Sequence, residues 1–270
     1  MRKKILLFVL WACLFPALLI SAQENVPEDS RSVMRSTLIG AGFSNVFDTY
    51  LSPIEYEGFD VRLLHESIRD TRLMDGRVSF QSLTQANFSY TENPSKTGSM
   101  YTGLVSWNCA FHYRFRINDR LQVLFGPMLD LNGGFIYNVR NSNNPAQGKA
   151  YGSVGASGMV VYKFRIARYP MTVRYQANLP LIGAMFSPEY GESYYEIFSL
   201  GNEGKHVSFT SLHNNPSLRQ MLTLDFPIRK VVMRVGYVCD LQQAKVNRLK
   251  THIYSHDFMI GFVKHFYLLK

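Results

Sequence analysis

Between residues 217 and 242 the chain reads SLRQMLTLDFPIRKVVMRVGYVCDLQ, and its apolar residues recur at every second position. Leu218, Leu222, Leu224 and Phe226 alternate with Arg219, Thr223 and Asp225. After a short break, Val231, Met233, Val235, Tyr237, Cys239 and Leu241 alternate with Arg234, Gly236, Asp240 and Gln242. A period of two places one set on each face of a strand, so these segments are strands with two chemically opposed faces. Either a protein core or lipid could receive the apolar face.

The alternation recurs along the chain. In 105–117, Val105, Trp107, Cys109, Phe111, Tyr113, Phe115 and Ile117 interleave with Ser106, Asn108, His112, Arg114 and Arg116. Segments 121–137, 153–166 and 171–181 repeat the pattern. It is weaker in 33–47, 58–68, 77–90 and 256–268. About ten strands result, several near the roughly 9–11 residues that a tilted transmembrane strand needs. Beyond residue 22 no apolar run approaches the about 20 residues of a spanning helix.

The links between strands also alternate. The second, fourth, sixth and eighth are compact (SIRDTRLMDGR, NDR, ARYP, PIRK). The first, third, fifth, seventh and ninth are longer, ending with segment 187–216 and AKVNRLKTHIYS. Short periplasmic turns opposite longer extracellular loops characterise outer-membrane barrels. An even strand count puts both chain ends in the periplasm. Composition agrees: 14% of residues are aromatic and only 18% charged, against about 25% charged in an average soluble chain. Tyr113, Phe115, Tyr162, Phe164, Phe226 and Phe266 fall near the expected periplasmic strand ends, as an interfacial girdle does. The expected fold is therefore all-β: a transmembrane antiparallel up-and-down barrel of about ten strands, with lipid on its apolar face.

The polar alternates then face the lumen. They include Arg62, Arg114, Arg116, Arg165, Arg174, Arg219 and Arg234, with Asp60, Glu66, Asp130, Asp225 and Asp240. A barrel of this size is slightly wider than side chains just fill. Opposite charges there should pair into a plug, because an unpaired buried charge is costly; the other reading is a narrow anion-preferring path. Lys264 shares the outward face of the last strand, which requires that it lie near the interface and snorkel.

At the start, Arg2, Lys3 and Lys4 precede ILLFVLWACLFPALLI and then Ser21-Ala22. A basic segment, an apolar core and a small residue describe a secretory signal peptide, expected over 1–22 with cleavage after Ala22. A short periplasmic segment follows (23–32), then the barrel (33–270). An uncleaved anchor would need a longer run, and Pro16 interrupts this one. The formal charge of +9 falls to +6 without Arg2, Lys3 and Lys4. In an exported chain with charges scattered along the sequence, nucleic acid is not the expected partner. Outer-membrane lipid is. Cys109 and Cys239 sit among apolar residues and are expected as two separate thiols.

Chemistry is sparse. His206 and Ser208 are two apart, so on an extended strand they share a face. Outer-membrane acyl hydrolases resemble this in carrying a His-x-Ser pair, with a third polar group orienting the imidazole. Glu203, Asn214 and Glu196 are the candidates for that role. Those enzymes follow the serine with asparagine, whereas Phe209 follows here, and a solvated loop is the plainer reading. Ser255-His256-Asp257 names a triad, but neighbouring strand positions face opposite ways, so His256 cannot reach both. The glycines of GSVGASG lack dinucleotide spacing. The histidines are dispersed, so neither a metal nor a cofactor is expected. Tyr190, Tyr194 and Tyr195 suit a glycan- or lipid-binding surface, with an interfacial belt as the simpler account, and a small solute or glycan is the partner expected at the extracellular loops.

TYLSPIEYEG after the first strand, with FSLGNEG and SLHNN in the seventh loop, resembles a family of outer-membrane barrels of unknown function from Gram-negative anaerobes. The resemblance spans nearly the whole mature chain and brings no activity or catalytic residues with it. Three functions follow as expectations: a structural or surface barrel (or narrow channel), a barrel-embedded acyl hydrolase using His206 and Ser208, or a soluble periplasmic barrel with an apolar ligand inside.

Overall fold

The structure is a computed structural model and describes residues 31–142, 144–200 and 206–268. The expected signal peptide lies outside these residues. The strands are β1 (Arg31–Asp48), β2 (Tyr56–Asp70), β3 (Val78–Glu92), β4 (Ser99–Arg116), β5 (Leu121–Asn138), β6 (Ala146–Ile166) and β7 (Tyr169–Phe186). A short helix α1 (Tyr194–Phe198) follows, then β8 (Val207–Ser211), β9 (Leu218–Ile228), β10 (Val231–Val246) and β11 (Leu249–Leu268).

The strands pair antiparallel in sequence order, and β1 pairs β11 from Arg31↔Leu268 to Asp48↔Thr251. That seam closes the sheet. β8 and β9 lie end to end along one side of β7, through Ile182↔Ser211 and Asn178↔Arg219. Together they form a single stave interrupted at 212–217, so the barrel has ten staves. A β-bulge in β7 opposite Val154 and Gly155 shifts the register where this interruption falls.

The two faces separate as the alternation requires. Phe43, Phe258 and Val105 face outward and are 75%, 74% and 57% exposed, whereas Arg62, Glu66 and Asp257 face inward and are fully buried. An apolar exterior around a polar interior suits hydrocarbon as the surrounding medium. Several polar groups on the outer face are paired across strands. Trp107 Nε1 donates to Ser82 Oγ at 3.0 Å, Tyr175 OH donates to Gln220 Oε1 at 2.7 Å, and Thr37 pairs with His65 at 2.9 Å. In lipid no water can take their place. This is the architecture of a membrane-spanning β-barrel. The inward-apolar arrangement that a soluble carrier needs is the reverse of it.

The link lengths differ from expectation. The first, third and fifth contract to 49–55, 93–98 and 139–145, and the ninth becomes the two-residue turn Asn247-Arg248. Both residues have positive φ (50° and 65°), the backbone that matches the twist of a two-residue hairpin. The polar residues of these links continue the hydrogen-bonded ladder beyond the lipid, where strict alternation is no longer enforced and periodicity cannot mark the strand. Among the described links, the asymmetry survives as the segment between β7 and β9. Lys264 lies toward the chain-terminal end, opposite Arg35 and with Nζ 5.5 Å from the Phe262 ring centroid, which fits a snorkelling position. Cys109 and Cys239 are both free thiols.

Leu222 is 47% exposed on the outer face. Leu222→Arg should lower the unfolding free energy in phospholipid bilayers by about 2–4 kcal/mol if it lies near the midplane. Urea titration of vesicle-inserted protein measures it; an unchanged midpoint would place water, not lipid, on this face.

Candidate functional site: a layered lumen and a capped loop end

Side chains inside the barrel stack in layers of alternating polarity. Nearest the chain termini, fully buried Glu66 accepts from Arg174 Nη2 and Arg234 Nη1, both at 2.7 Å, and from Gln81 Nε2 at 2.6 Å. Arg234 also grips Asp225 with Nε and Nη2, at 2.5 and 2.7 Å. Two guanidiniums thus meet two carboxylates. Around them Gln81 and Gln176 bond reciprocally, and His112 Nε2 shares a 2.8 Å bond with Ser157 Oγ. Above this lies an apolar layer of Leu38, Leu64, Leu83, Met221, Val238 and Met259.

The middle layer centres on Arg62. Its Nε donates to Asp257 Oδ2 at 2.7 Å, Nη1 to Gln85 at 2.9 Å and Asp240 at 3.4 Å, and Nη2 to Ser255 at 2.5 Å. Asp60 stands 3.8 Å from Nη2. Arg219 bridges Asp240 at 3.1 Å and Asp130 at 3.2 Å. Four carboxylates therefore surround two guanidiniums. A second apolar layer of Val46, Leu51, Tyr56, Met100, Leu104, Ile136 and Ile253 covers them on the loop side. Lys149 Nζ donates at that level to Asp48 at 2.5 Å and Thr251 at 2.9 Å. Cavities in the interior are small, about 30 Å³ beside Tyr151 and Gln242 and about 10 Å³ beside Leu64 and Gln85. That is room for a water or two.

Of the sequence-expected lumen residues, Arg62, Arg174, Arg219, Arg234, Asp130, Asp225 and Asp240 join these layers. Arg116 and Arg165 do not. They keep the inward parity but lie among the last paired residues of β4 and β6, at the rim, and both are exposed. Arg114 is half-buried at that rim and pairs with Asp70 at 2.6 Å. Asp257 and Ser255, passed over as false triad members, are inward partners of Arg62. His256 faces outward to Tyr237 OH at 2.6 Å, as their opposed parity required. Asp257 and Lys149 were missed because weak alternation in 256–268 and an assumed loop at 138–150 hid their inward parity.

The loop end is closed by the segment after β7. Helix α1 begins with a capping box, Ser193 and Glu196 bonding each other's backbone N–H, and these bonds hold the Glu196 carboxyl below the usual range. Tyr194 OH accepts from Gly148 N at 2.6 Å and donates to Gln147 Oε1 at 3.1 Å. The Tyr50 ring meets Tyr194 edge-on, and its hydroxyl donates to Glu192 O at 2.9 Å. Burial, with nearby Tyr194 and Glu192, pushes the Tyr50 phenol up to about 12, so it remains a donor at neutral pH. His206 Nε2 lies 3.0 Å from both Glu192 carboxylate oxygens, and Ser208 Oγ donates to Asn247 Oδ1 at 3.1 Å. His206 and Ser208 thus hold different partners, and no hydrogen bond joins them among the described residues. Asn214 accepts from Ser211 N and Glu196 caps α1, so neither orients the imidazole. Glu203 lies outside the described residues.

Geometry and burial define a lipid-facing barrel with ion-paired layers in its interior. The chain belongs to a protein family of unknown function, DUF3316, whose model matches residues 5–270. A comparison with curated proteins finds no match. Among solved structures the chain is similar to the outer membrane protease OmpT from Escherichia coli, at 6% identity and a TM-score of 0.45, over 90% of this chain and 99% of that one. It is also similar to the transport unit of the autotransporter AIDA-I from Escherichia coli (7%, TM-score 0.40, 94% and 96%). A third is the beta domain of the Bordetella autotransporter BrkA (10%, 0.43, 88% and 100%). These likenesses lend the chain none of those proteins' activities.

Arg62→Met should destabilise the barrel by about 3–5 kcal/mol, since it strands buried carboxylates without their cation. Asp60→Asn, which lowers the carboxylate excess, should cost under about 1 kcal/mol. Equilibrium unfolding of both variants checks the pair; equal losses would refute the charge accounting.

Proposed function

We propose that the protein is an outer-membrane barrel whose lumen is a structural plug, and that its contacts with other molecules are made at its two ends. The carrying observation is the stack itself. Apolar layers lie on the loop side of the two guanidinium–carboxylate layers, and the cavities described have room for a water or two. An ion crossing the barrel would have to break guanidinium–carboxylate pairs and pass two such layers. A conducting anion path is disfavoured on these grounds. At the loop end, exposed Tyr190, Tyr195 and Phe198 form a surface of the kind that stacks on a glycan or small apolar solute.

Planar-bilayer recordings test the plug. Wild-type protein should give no steps in conductance, and paired truncation of Arg62 and Arg219 to Ala should introduce them. Stable wild-type channels would overturn the reading. The hydrolase alternative has no dyad geometry to support it, so a fluorophosphonate probe should leave Ser208 unlabelled in detergent-refolded protein.

A further inference from the structure

Cations that are scattered along the sequence converge at one end of the barrel. The four turns at the chain-terminal end carry Arg72, Arg77, Arg120, Arg168, Arg229 and Lys230, against Asp75 and Asp119. All eight are exposed. The adjoining strand ends add exposed Arg35, Arg69, Arg116, Lys163 and Arg165, with Asp70 already paired to Arg114. The opposite end is different. Its described turns hold Glu55, Glu189, Glu192 and Glu196 against Lys96, Arg140 and Arg248. Most of the chain's surplus of +9 therefore sits on one rim.

The rim cations are interleaved with aromatics. Arg69 lies over the Phe80 ring at 4.8 Å, and Arg168 lies 5.7 Å from the Tyr169 ring centroid. Arg77 Nη1 donates to Tyr113 OH at 3.3 Å. Tyr113 packs on Phe115, and Tyr162 on Phe164. Aromatic side chains of this kind mark the headgroup level of a bilayer. Cations at that depth meet lipid phosphates, and a like-charged crowd of them is stabilised by a surrounding layer that carries net negative charge.

We propose that this basic rim binds anionic phospholipid headgroups, gathering them around the barrel at the leaflet that faces the chain termini. The inference rests on the membrane placement above and adds a lipid preference that the placement does not require. The rim reads charge and position together. Guanidiniums offer forked donors to phosphate oxygens, while the neighbouring rings hold their stems at the depth where those oxygens lie.

The test is lipid retention. Wild-type protein and the variant Arg120→Gln/Arg168→Gln/Arg229→Gln/Lys230→Gln are refolded into vesicles of equal parts phosphatidylcholine and phosphatidylglycerol. They are then extracted in mild detergent, and the retained lipid is counted by native mass spectrometry. Wild type should retain phosphatidylglycerol over phosphatidylcholine by about tenfold, since cations near the surface attract anionic headgroups. The preference should fall toward parity in the variant and in high salt. Heat-modifiable migration on gels reports whether each sample inserted and folded. Insertion without any lipid preference overturns this proposal alone. Failure of wild type to insert into these vesicles overturns the membrane placement itself. Displacement of phosphatidylglycerol by free inorganic phosphate would show that the rim binds a soluble anion instead, and would also overturn it.

Discussion

Closure of the backbone hydrogen-bond ladder is the condition on which everything else rests. A strand in hydrocarbon has no water for its N–H and C=O groups, so each must pair with a neighbour, and the first strand must pair with the last. The β1–β11 seam, Arg31↔Leu268 through Asp48↔Thr251, meets that condition along the whole of β1. Once the sheet is a ring, period-two alternation has one outcome: an apolar exterior and a polar interior. The interior must then be filled or charge-compensated. The outward His65, Trp107 and Tyr175 follow the same rule on the other face, each finding a protein partner within hydrogen-bond distance.

The lumen meets the condition with layers. Charged side chains in a low-dielectric space are tolerated only when paired and hydrogen-bonded, and Glu66, which accepts from Arg174, Arg234, Gln81 and Ser36, shows a carboxylate satisfied in this way. Apolar layers separate one charged level from the next, which shields each network from water and holds its geometry. On the plug reading proposed above, the same arrangement leaves no route along the barrel axis. Rigidity inside moves adaptable chemistry to the ends, where α1 and its aromatic neighbours close one opening and a basic rim surrounds the other.

Much of this was legible in the sequence, because lipid on one side and a polar lumen on the other write the same two-residue rhythm into each crossing strand. The barrel and its strand number followed from it, and the structure places Arg62, Arg174, Arg219, Arg234, Asp130, Asp225 and Asp240 among the inward layers. The rhythm ends where the lipid ends. The hairpin through Asn247-Arg248 and the β6 start at Ala146 were read as loops because outside the membrane nothing forces alternation. Parity alone also misplaced Arg116 and Arg165, which keep the inward phase but sit beyond the last layer. The concentration of cations at one rim was invisible for another reason. Arg72, Arg120, Arg168 and Arg229 are far apart in sequence, and only ring closure makes them neighbours. The partners of His206 and Ser208 depend on long-range contacts with Glu192 and Asn247, which no local motif specifies.

The interrupted stave has a mechanical consequence. Between Asn178 and Ile182, β7 has no ladder partner on its β8–β9 side, and Pro180 there has no N–H to leave unpaired. The wall is stitched above and below this point but not across it. Residues 212–217 carry the chain past the gap, tied to β10 by Lys245 N donating to Asn214 O at 2.7 Å, and Ser217, Leu218 and Arg219 border a small cavity that reaches Asp130 and Asp240. That cavity brings the middle charges toward the flank of the barrel where a stave is interrupted, so the wall carries its fewest ladder hydrogen bonds beside Asp130 and Asp240.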